Sequence, residues 1–230
     1  MGFVAEMRAR AAAIWAAEAA HPFVRGVGDG TLDVARFKYY VAQDYLFLIE
    51  FVRVLGLAVA KSTDLATMQR FTELQHVTLT QEMELHRGYC ARFGITAADL
   101  EAARPSPTTY AYTRHLLTVA YAGTAGEIEA ALLPCQWGYA EIGAALAAVS
   151  RPAGGERAAL PYAPLYEEWV RMYASPEYQA LAAGMCDLME ELAAHASEDE
   201  RRRMMDHFLT SSRYEYLFWE AAYTMEQWPA

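Results

Sequence analysis

The sequence lacks any long uninterrupted run of hydrophobic residues. Its first twenty residues place Glu6, Arg8, Arg10 and Glu18 among apolar positions, and no later stretch reaches membrane-spanning length without charges. A membrane-spanning helix needs about 20 predominantly apolar residues, and a secretory signal peptide needs an uncharged apolar core. We therefore expect a soluble, cytoplasmic protein that does not bind membranes.

Cysteine is scarce. The three cysteines, Cys90, Cys135 and Cys186, are odd in number and far apart in the chain. Disulfide frameworks need paired cysteines and belong to oxidising compartments. The pattern predicts a reducing compartment in which each cysteine is a free thiol.

Positive charge is also in short supply, since 19 Lys and Arg residues face 29 Asp and Glu residues, a net charge of −10. Nucleic-acid binding depends on clustered Lys and Arg that displace counterions from phosphates. The one basic run, residues 201–203, directly follows the acidic segment "SEDE", which is typical of a solvated helix face. No nucleic-acid partner is expected.

Strand-type alternation is almost absent, whereas helical periodicity runs along nearly the whole chain. The glycine-rich segment at 25–30 predicts a turn, and residues 150–164 predict a surface loop. Periodicity and capping signals predict helices over residues 2–20, 32–61, 64–93, 96–103, 108–121, 125–149, 162–173, 176–195 and 198–226. A chain of 230 residues can bury one sizeable core, so the expected architecture is a single-domain, all-α helical bundle over residues 1–230.

Asp44 interrupts the apolar face of the second predicted helix. Burying an ionised carboxylate without a partner is strongly unfavourable. Asp44 is therefore expected either to pair with another helix or to face a cavity that holds a ligand. Around it, at i, i+3 and i+4 spacing, lie Phe37, Tyr40, Val41, Phe47, Leu48 and Phe51.

Cys135 also points inward by the same reasoning, because it shares a helical face with Leu132, Tyr139, Ile142 and Leu146. Most buried cysteines are inert hydrophobic residues. Pro134, however, lies inside the predicted helix and removes a backbone hydrogen bond, which favours a kink that would open space beside the sulfur. Cys90 and Cys186 lack comparable neighbours and are assigned to packing.

Glu215 falls in an apolar, aromatic face of the last helix. Ser212-x-x-Glu215 also has the form of a capping box, in which the glutamate would only satisfy a backbone amide. In apolar surroundings the pKa of a carboxyl rises, which suits a general acid or base near neutral pH. Tyrosines such as Tyr112 and Tyr173 would stack on a flat heteroaromatic ring, although most tyrosines simply lie at core edges.

At these residues the sequence resembles the thiaminase II (TenA) family of aminopyrimidine aminohydrolases, which have the all-helical fold of heme oxygenase. The resemblance covers essentially the whole chain and implies the same fold. The segment "LLPCQWGY" places the chain in the branch that has an active-site cysteine. The segments that carry the resemblance are "HPFVRGVGDGTLDVARFKYYVAQDYLFL" at 21–48, "EMELHRGY" at 82–89, "PSPTTYAYTRHLL" at 105–117, "EIEAALLPCQWGYAEIG" at 127–143 and "SSRYEYLFWEAAYTMEQWP" at 211–229.

The resemblance implies hydrolysis of 4-amino-5-aminomethyl-2-methylpyrimidine to the hydroxymethylpyrimidine and ammonia, a step of thiamin salvage, and hydrolysis of thiamin itself. Cys135 would be the nucleophile. Asp44 would hold the amino group and ring nitrogen of the pyrimidine, and Glu215 would act as acid and base at the leaving group. Neither a cofactor nor a metal is implied, and relatives are commonly homotetramers.

The same resemblance implies that Tyr112, Tyr139 and Tyr173 line the pocket. Phe47 stands where some members carry a tyrosine, so it would contribute stacking without a hydrogen bond. His86 is expected at the pocket wall or in the core.

Two alternatives stay open at this point. Glu82 and His86 are an i, i+4 pair that, with Asp44 and Glu215, would form a di-iron oxidase site, although such sites usually need about six ligands. The second alternative is a non-catalytic, pyrimidine-binding regulatory protein, which the family's association with protease expression suggests.

Overall fold

The computed structural model describes residues 2–149 and 163–229, and no β-strand occurs among them, which confirms the predicted all-α class. None of the helices in these ranges is long and apolar enough to cross a membrane. Residues 150–162, which hold most of the predicted surface loop, lie outside the described residues. The α-helices are α1 Phe3–Arg10, α2 Ala12–Ala19, α3 Pro22–Asp29, α4 Val34–Lys61, α5 Leu65–Val77, α6 Met83–Phe93, α7 Ala97–Ala102, α8 Pro107–Ala122, α9 Ala125–Val149, α10 Ala163–Tyr173, α11 Pro176–His195 and α12 Glu198–Thr224.

Capping side chains explain where the long helices begin. Asp33 accepts a hydrogen bond from the Ala35 amide at the start of α4, and Ser175 begins α11 with a proline at the next position. At the start of α9, Thr124 and Glu127 exchange hydrogen bonds of 2.7 and 3.2 Å, so the predicted capping box is present. These long helices begin within two residues of their predicted starts.

The prediction of a turn at residues 25–30 is wrong. Residues 25–29 belong to α3, which His21 caps by accepting a hydrogen bond from the Phe23 amide. Gly30 follows the last residue of the helix and adopts the left-handed conformation (φ 80°). Gly26 permits a close approach, since a Cβ there would lie 3.1 Å from the Cα of Leu32. Phe23, Val24 and Val27 are buried, and this apolar face stabilises the helix despite its glycines. The predicted single helix over 2–20 is likewise divided at Ala11.

The predicted helix over 64–93 contains a π-helical turn, Thr78–Glu82, between α5 and α6. A π turn inserts one residue relative to an α-helix and so rotates the side chains that follow it. Glu82, the last residue of the π turn, and His86, one helical turn after it, are both buried. π turns are rare and are frequently found at functional sites.

The centre of the fold is an aromatic cluster where four helices meet. Helix α9 packs against α4, α10, α11 and α12. The ring centroids of Tyr40 on α4 and Trp219 on α12 are 5.6 Å apart, and Tyr139 on α9 lies 5.1 Å from Trp219 and 5.8 Å from Trp169 on α10. Large buried rings of this kind hold the surrounding helices in fixed positions, so the polar groups among them are also fixed.

Candidate active site

Asp44 and His86 form a buried pair between α4 and α6. Asp44 is 4% exposed, His86 is fully buried, and His86 Nε2 lies 2.5 Å from Asp44 Oδ2. His86 Nδ1 lies 2.8 Å from the backbone carbonyl oxygen of Glu82, which can only accept, so Nδ1 carries a proton. Burial alone would lower the pKa of His86, but the charge and hydrogen bond of Asp44 raise it above its ordinary value. The hydrogen bond to Asp44 therefore favours the protonated form of His86.

A chain of hydroxyl groups orients Asp44 from the other side. The Tyr40 hydroxyl donates to Asp44 Oδ2 at 3.1 Å, and Trp169 Nε1 donates to the Tyr40 oxygen at 3.2 Å. The hydroxyl oxygens of Tyr139 and Tyr40 are 3.3 Å apart, and Tyr139 must donate there because the single Tyr40 proton is directed at Asp44. No described residue donates a hydrogen bond to Asp44 Oδ1, so this oxygen is free to accept one from a ligand.

Glu82 is a second buried carboxyl in the same region. Its Oε1 accepts a hydrogen bond from the Tyr173 hydroxyl at 3.0 Å. Burial, followed by the charge of Asp44, raises the pKa of Glu82 to about 7. The sequence argument used Glu82 only as a ligand in the di-iron alternative. Its i, i+4 relation to His86 was visible in the sequence, but the π turn that places both was not.

Glu215 pairs with Tyr112 on the opposite side of the cluster. The Tyr112 hydroxyl donates to Glu215 Oε1 at 2.6 Å, and both residues are buried. Burial raises the pKa of Glu215 to about 8; the hydrogen bond from Tyr112 opposes this rise and the charge of Asp44 adds to it. Because Glu215 lies deep within α12, far from its first turn, the capping-box alternative is wrong.

Cys135 lies among these carboxyl groups. Its side chain is 8% exposed. Helix α9 continues through Pro134 without interruption. Burial, then the charges of Glu215, Glu82 and Asp44, raise the pKa of the Cys135 thiol well above its ordinary value. The sulfur is therefore a neutral thiol at neutral pH, and it needs a base in order to attack.

Aromatic rings complete the cluster. The rings of Tyr139 and Tyr173 are 4.9 Å apart, and that of Phe47 lies 5.0 Å from that of Tyr112. Hydrogen bonds and ring contacts join Asp44 to His86, Tyr139 to Tyr173, and both Glu215 and Phe47 to Tyr112. The rings of Tyr40 and Phe47 both contact Phe218, which connects the two groups. Cys135 is related to Glu215 and Asp44 by electrostatic interaction.

In the described ranges, no group of three or more His, Cys, Asp and Glu side chains has an arrangement that could hold a metal ion. Glu215, which the di-iron alternative requires, is hydrogen-bonded to Tyr112. The described part of the chain therefore offers no geometric support for the di-iron alternative.

Comparison with known proteins gives the same fold and decides the family. Residues 8–225 match the TENA/THI-4/PQQC family. The chain belongs to this family. The predicted resemblance to TenA proteins is therefore confirmed.

Several relatives of this TenA-family chain carry the name aminopyrimidine aminohydrolase. The protein from Halalkalibacterium halodurans is 42% identical over 228 residues, which cover 99% of this chain and 98% of the relative. The protein from Bacillus subtilis is 38% identical over 228 residues, covering 99% and 92%.

Solved structures agree. A TenA family protein from Silicibacter, described as a transcription regulator, superposes with a TM-score of 0.86 and 33% identity over 96% of both chains. A domain from Shewanella denitrificans described as having a heme oxygenase-like fold gives a TM-score of 0.74 at 13% identity over 96% of this chain and 92% of that one, which supports the fold alone.

Proposed function

We propose that this protein is an aminopyrimidine aminohydrolase of thiamin salvage, which converts 4-amino-5-aminomethyl-2-methylpyrimidine into the hydroxymethylpyrimidine and ammonia. The observation that carries the proposal is a buried thiol, Cys135, that lies within the electrostatic reach of three buried carboxyl groups. One of them, Asp44, keeps an oxygen free for a ligand, and another, Glu215, has a pKa of about 8. Relatives named for this activity over the full chain length support the assignment.

In the proposed reaction, Asp44 accepts a hydrogen bond from the pyrimidine amino group and stabilises charge on the ring nitrogens. The pair with His86 and the Tyr40 hydroxyl hold the carboxylate in place for this purpose. Tyr112, Tyr139, Tyr173 and Phe47 surround a flat ring with aromatic surface.

Cys135 adds through its sulfur to the ring, which breaks the aromaticity of the pyrimidine. The electrons then expel the nitrogen of the aminomethyl group as ammonia, water adds to the exocyclic carbon, and the sulfur leaves. The thiol proton must go to a base as the sulfur attacks, because the pKa of the thiol is raised.

We assign the proton transfers to the two buried glutamates, because the pKa of each is raised into the range near neutral pH. Glu82, whose pKa is raised to about 7, would accept the thiol proton. Glu215, whose pKa is raised to about 8, would donate a proton to the departing amine, after which its carboxylate would activate water.

We extend the proposal to hydrolysis of thiamin, to a cytoplasmic location and to a single domain over residues 1–230. We also propose a homotetramer, and exposed apolar side chains such as Leu65 (82%) and Tyr121 (72%) support subunit contacts. Light scattering on the purified protein would then give four times the chain mass of 25.7 kDa.

The test compares wild type with Cys135→Ser on a panel of aminomethylpyrimidine, thiamin and related pyrimidines, with ammonia and hydroxymethylpyrimidine as readouts. We expect Cys135→Ser to fold, to bind hydroxymethylpyrimidine by calorimetry and to lose nearly all turnover. Retention of most of the wild-type rate would exclude the covalent mechanism. Binding without ammonia release by wild type would instead support the regulatory alternative.

A further inference from the structure

A half-open cavity of about 440 Å³ lies directly beside the candidate active site. It is bounded by α5, the π turn, α9, the end of α10 and α11. Its volume falls within the range of roughly 300–1,000 Å³ that is typical of small-molecule sites. Apart from Glu82, none of the residues given a role in the hydrolysis of the aminomethylpyrimidine lines it.

The inner end of the cavity shares residues with the candidate active site. Glu82 lines the cavity and accepts the hydrogen bond from Tyr173. Tyr178 lines it as well, and its ring lies 4.9 Å from that of Tyr173. Gln136, the residue that follows Cys135 in α9, lines the cavity too, so the cavity adjoins the helical turn that carries the thiol. A substituent on the reacting carbon of a bound substrate would therefore extend toward this cavity.

The polar groups of the cavity wall favour a ligand with N–H donors. Thr78 Oγ1 and Gln136 Oε1 are buried and have no hydrogen-bond partner among the described residues, although both residues line the cavity. Buried polar atoms are normally paired, so these two atoms are suited to contact a ligand.

The charge of the wall favours a cation. Among the described residues of its wall, Glu73, Glu82 and Glu177 are acidic and Arg70 is basic. Arg70 Nη2 pairs with Glu191 Oε1 at 2.9 Å, and Arg70 Nη1 is buried without a hydrogen-bond partner among the described residues. Between the polar inner end and the acidic rim, the wall is apolar, with Leu74, Val77, Leu181 and Met185. An amine that carries an apolar substituent matches both features.

We propose that this cavity is a leaving-group subsite for substituted amines, so that the enzyme hydrolyses 5-(N-substituted aminomethyl)pyrimidines as well as the simple aminomethylpyrimidine. The inference rests on the proposed function. The bond between the exocyclic carbon and the amine nitrogen breaks, and a carbon–oxygen bond from water forms. One water proton goes to the departing nitrogen, so a primary amine is released in place of ammonia.

Gly184 offers a test that narrows the cavity without disturbing the reacting groups. It lines the cavity from α11, and a Cβ added there meets no atom within 4 Å. Gly184→Phe places a ring at the wall, and Gly184→Ala is the matched control, since it makes the same helix-favouring change without the bulk. The substrates are 4-amino-5-aminomethyl-2-methylpyrimidine and its N-benzyl derivative, with ammonia, benzylamine and hydroxymethylpyrimidine as readouts.

We expect wild type and Gly184→Ala to hydrolyse both substrates. In Gly184→Phe, kcat/KM for the N-benzyl substrate should fall at least about tenfold, while that for the aminomethylpyrimidine stays within about twofold. Equal losses for both substrates, no loss for either, or a wild type that hydrolyses only the unsubstituted amine would each overturn the subsite while the proposed function stands. A wild type that hydrolyses neither substrate would overturn both.

Discussion

Replacing Asp44 by asparagine separates its part in the buried pair from its part in binding a ligand. The asparagine amide can donate to His86 Nε2 once that ring is neutral, and His86 Nδ1 keeps its bond to the Glu82 carbonyl. The exchange therefore replaces a charge-assisted hydrogen bond by a neutral one and costs about 1–2 kcal/mol of folding free energy. Asp44→Ala would leave His86 unpaired and costs about 3–5 kcal/mol.

These free energies correspond to measurable shifts of the melting temperature. In a chain of this size, 1 kcal/mol shifts the Tm by about 2–4 °C, so we expect decreases of about 2–8 °C for Asp44→Asn and about 6–20 °C for Asp44→Ala. Calorimetry gives these values. We also expect kcat/KM of Asp44→Asn to fall about 10–100-fold, because the carboxylate that stabilises charge on the pyrimidine is lost. The small loss of stability would not account for a decrease of this size.

His86→Gln is the matched control, because it breaks the same pair and keeps the Asp44 carboxylate. The glutamine amide can donate to Asp44 Oδ2 from a similar position. We expect this variant to lose stability comparably to Asp44→Asn but to keep more of its kcat/KM for the aminomethylpyrimidine. If the two variants lost the same activity and the same stability, Asp44 would be only the structural partner of His86.

Three further predictions follow from the buried glutamates. The pKa of Glu215 is raised from 4.5 to about 8, so the folded state binds an extra proton between these values and wild type loses stability as pH rises through this window. Between pH 5 and pH 8 this group alone accounts for a loss of roughly 3–4 kcal/mol. Glu215→Gln should remove that part of the loss in urea unfolding at the two pH values, and an unchanged difference would contradict the assignment. Tyr112→Phe removes the hydrogen bond to Glu215, which lowers the pKa of that carboxyl. The basic limb of the pH–rate profile should therefore move to higher pH, and a shift to lower pH would refute the pairing. In Glu82→Gln the amide oxygen still accepts the hydrogen bond from Tyr173, but the side chain cannot take up a proton. We expect kcat/KM to fall about 10²–10⁴-fold and the increase of the rate through pH 7 to disappear. If the pH–rate profile kept this increase, it would belong to another group.

The periodicity of the sequence was enough to predict the long helices. Local capping signals such as Thr124 with Glu127 fixed the starts of helices that also bury a broad apolar face. Helix α3 was not predicted because its glycines were taken to indicate a turn, whereas in the folded chain the buried face of Phe23, Val24 and Val27 stabilises a helix. The π turn was not predictable either, because an inserted residue changes the phase of burial without changing the apolar pattern on either side.

The burial of the candidate residues was predictable from the sequence, whereas their pairings were not. The inward direction of Asp44, Cys135 and Glu215 follows from helical spacing, but their roles came from the family resemblance. The bond between Asp44 and His86 joins residues 42 positions apart, and no local pattern indicates it. Glu82 was underestimated for the same reason, since its importance arises from Tyr173 and Asp44 on other helices.

The three carboxyl groups around Cys135 have a further consequence for the enzyme at rest. Alkylating agents and peroxides react with thiolates, and burial, together with the acidic surroundings, raises the pKa of this sulfur and keeps it in the thiol form. In the resting enzyme, Cys135 would therefore react slowly with oxidants and electrophiles in the cell. The sulfur would react only when a pyrimidine is bound beside it. The same charges that disfavour the thiolate would therefore restrict the reaction of Cys135 to its substrate.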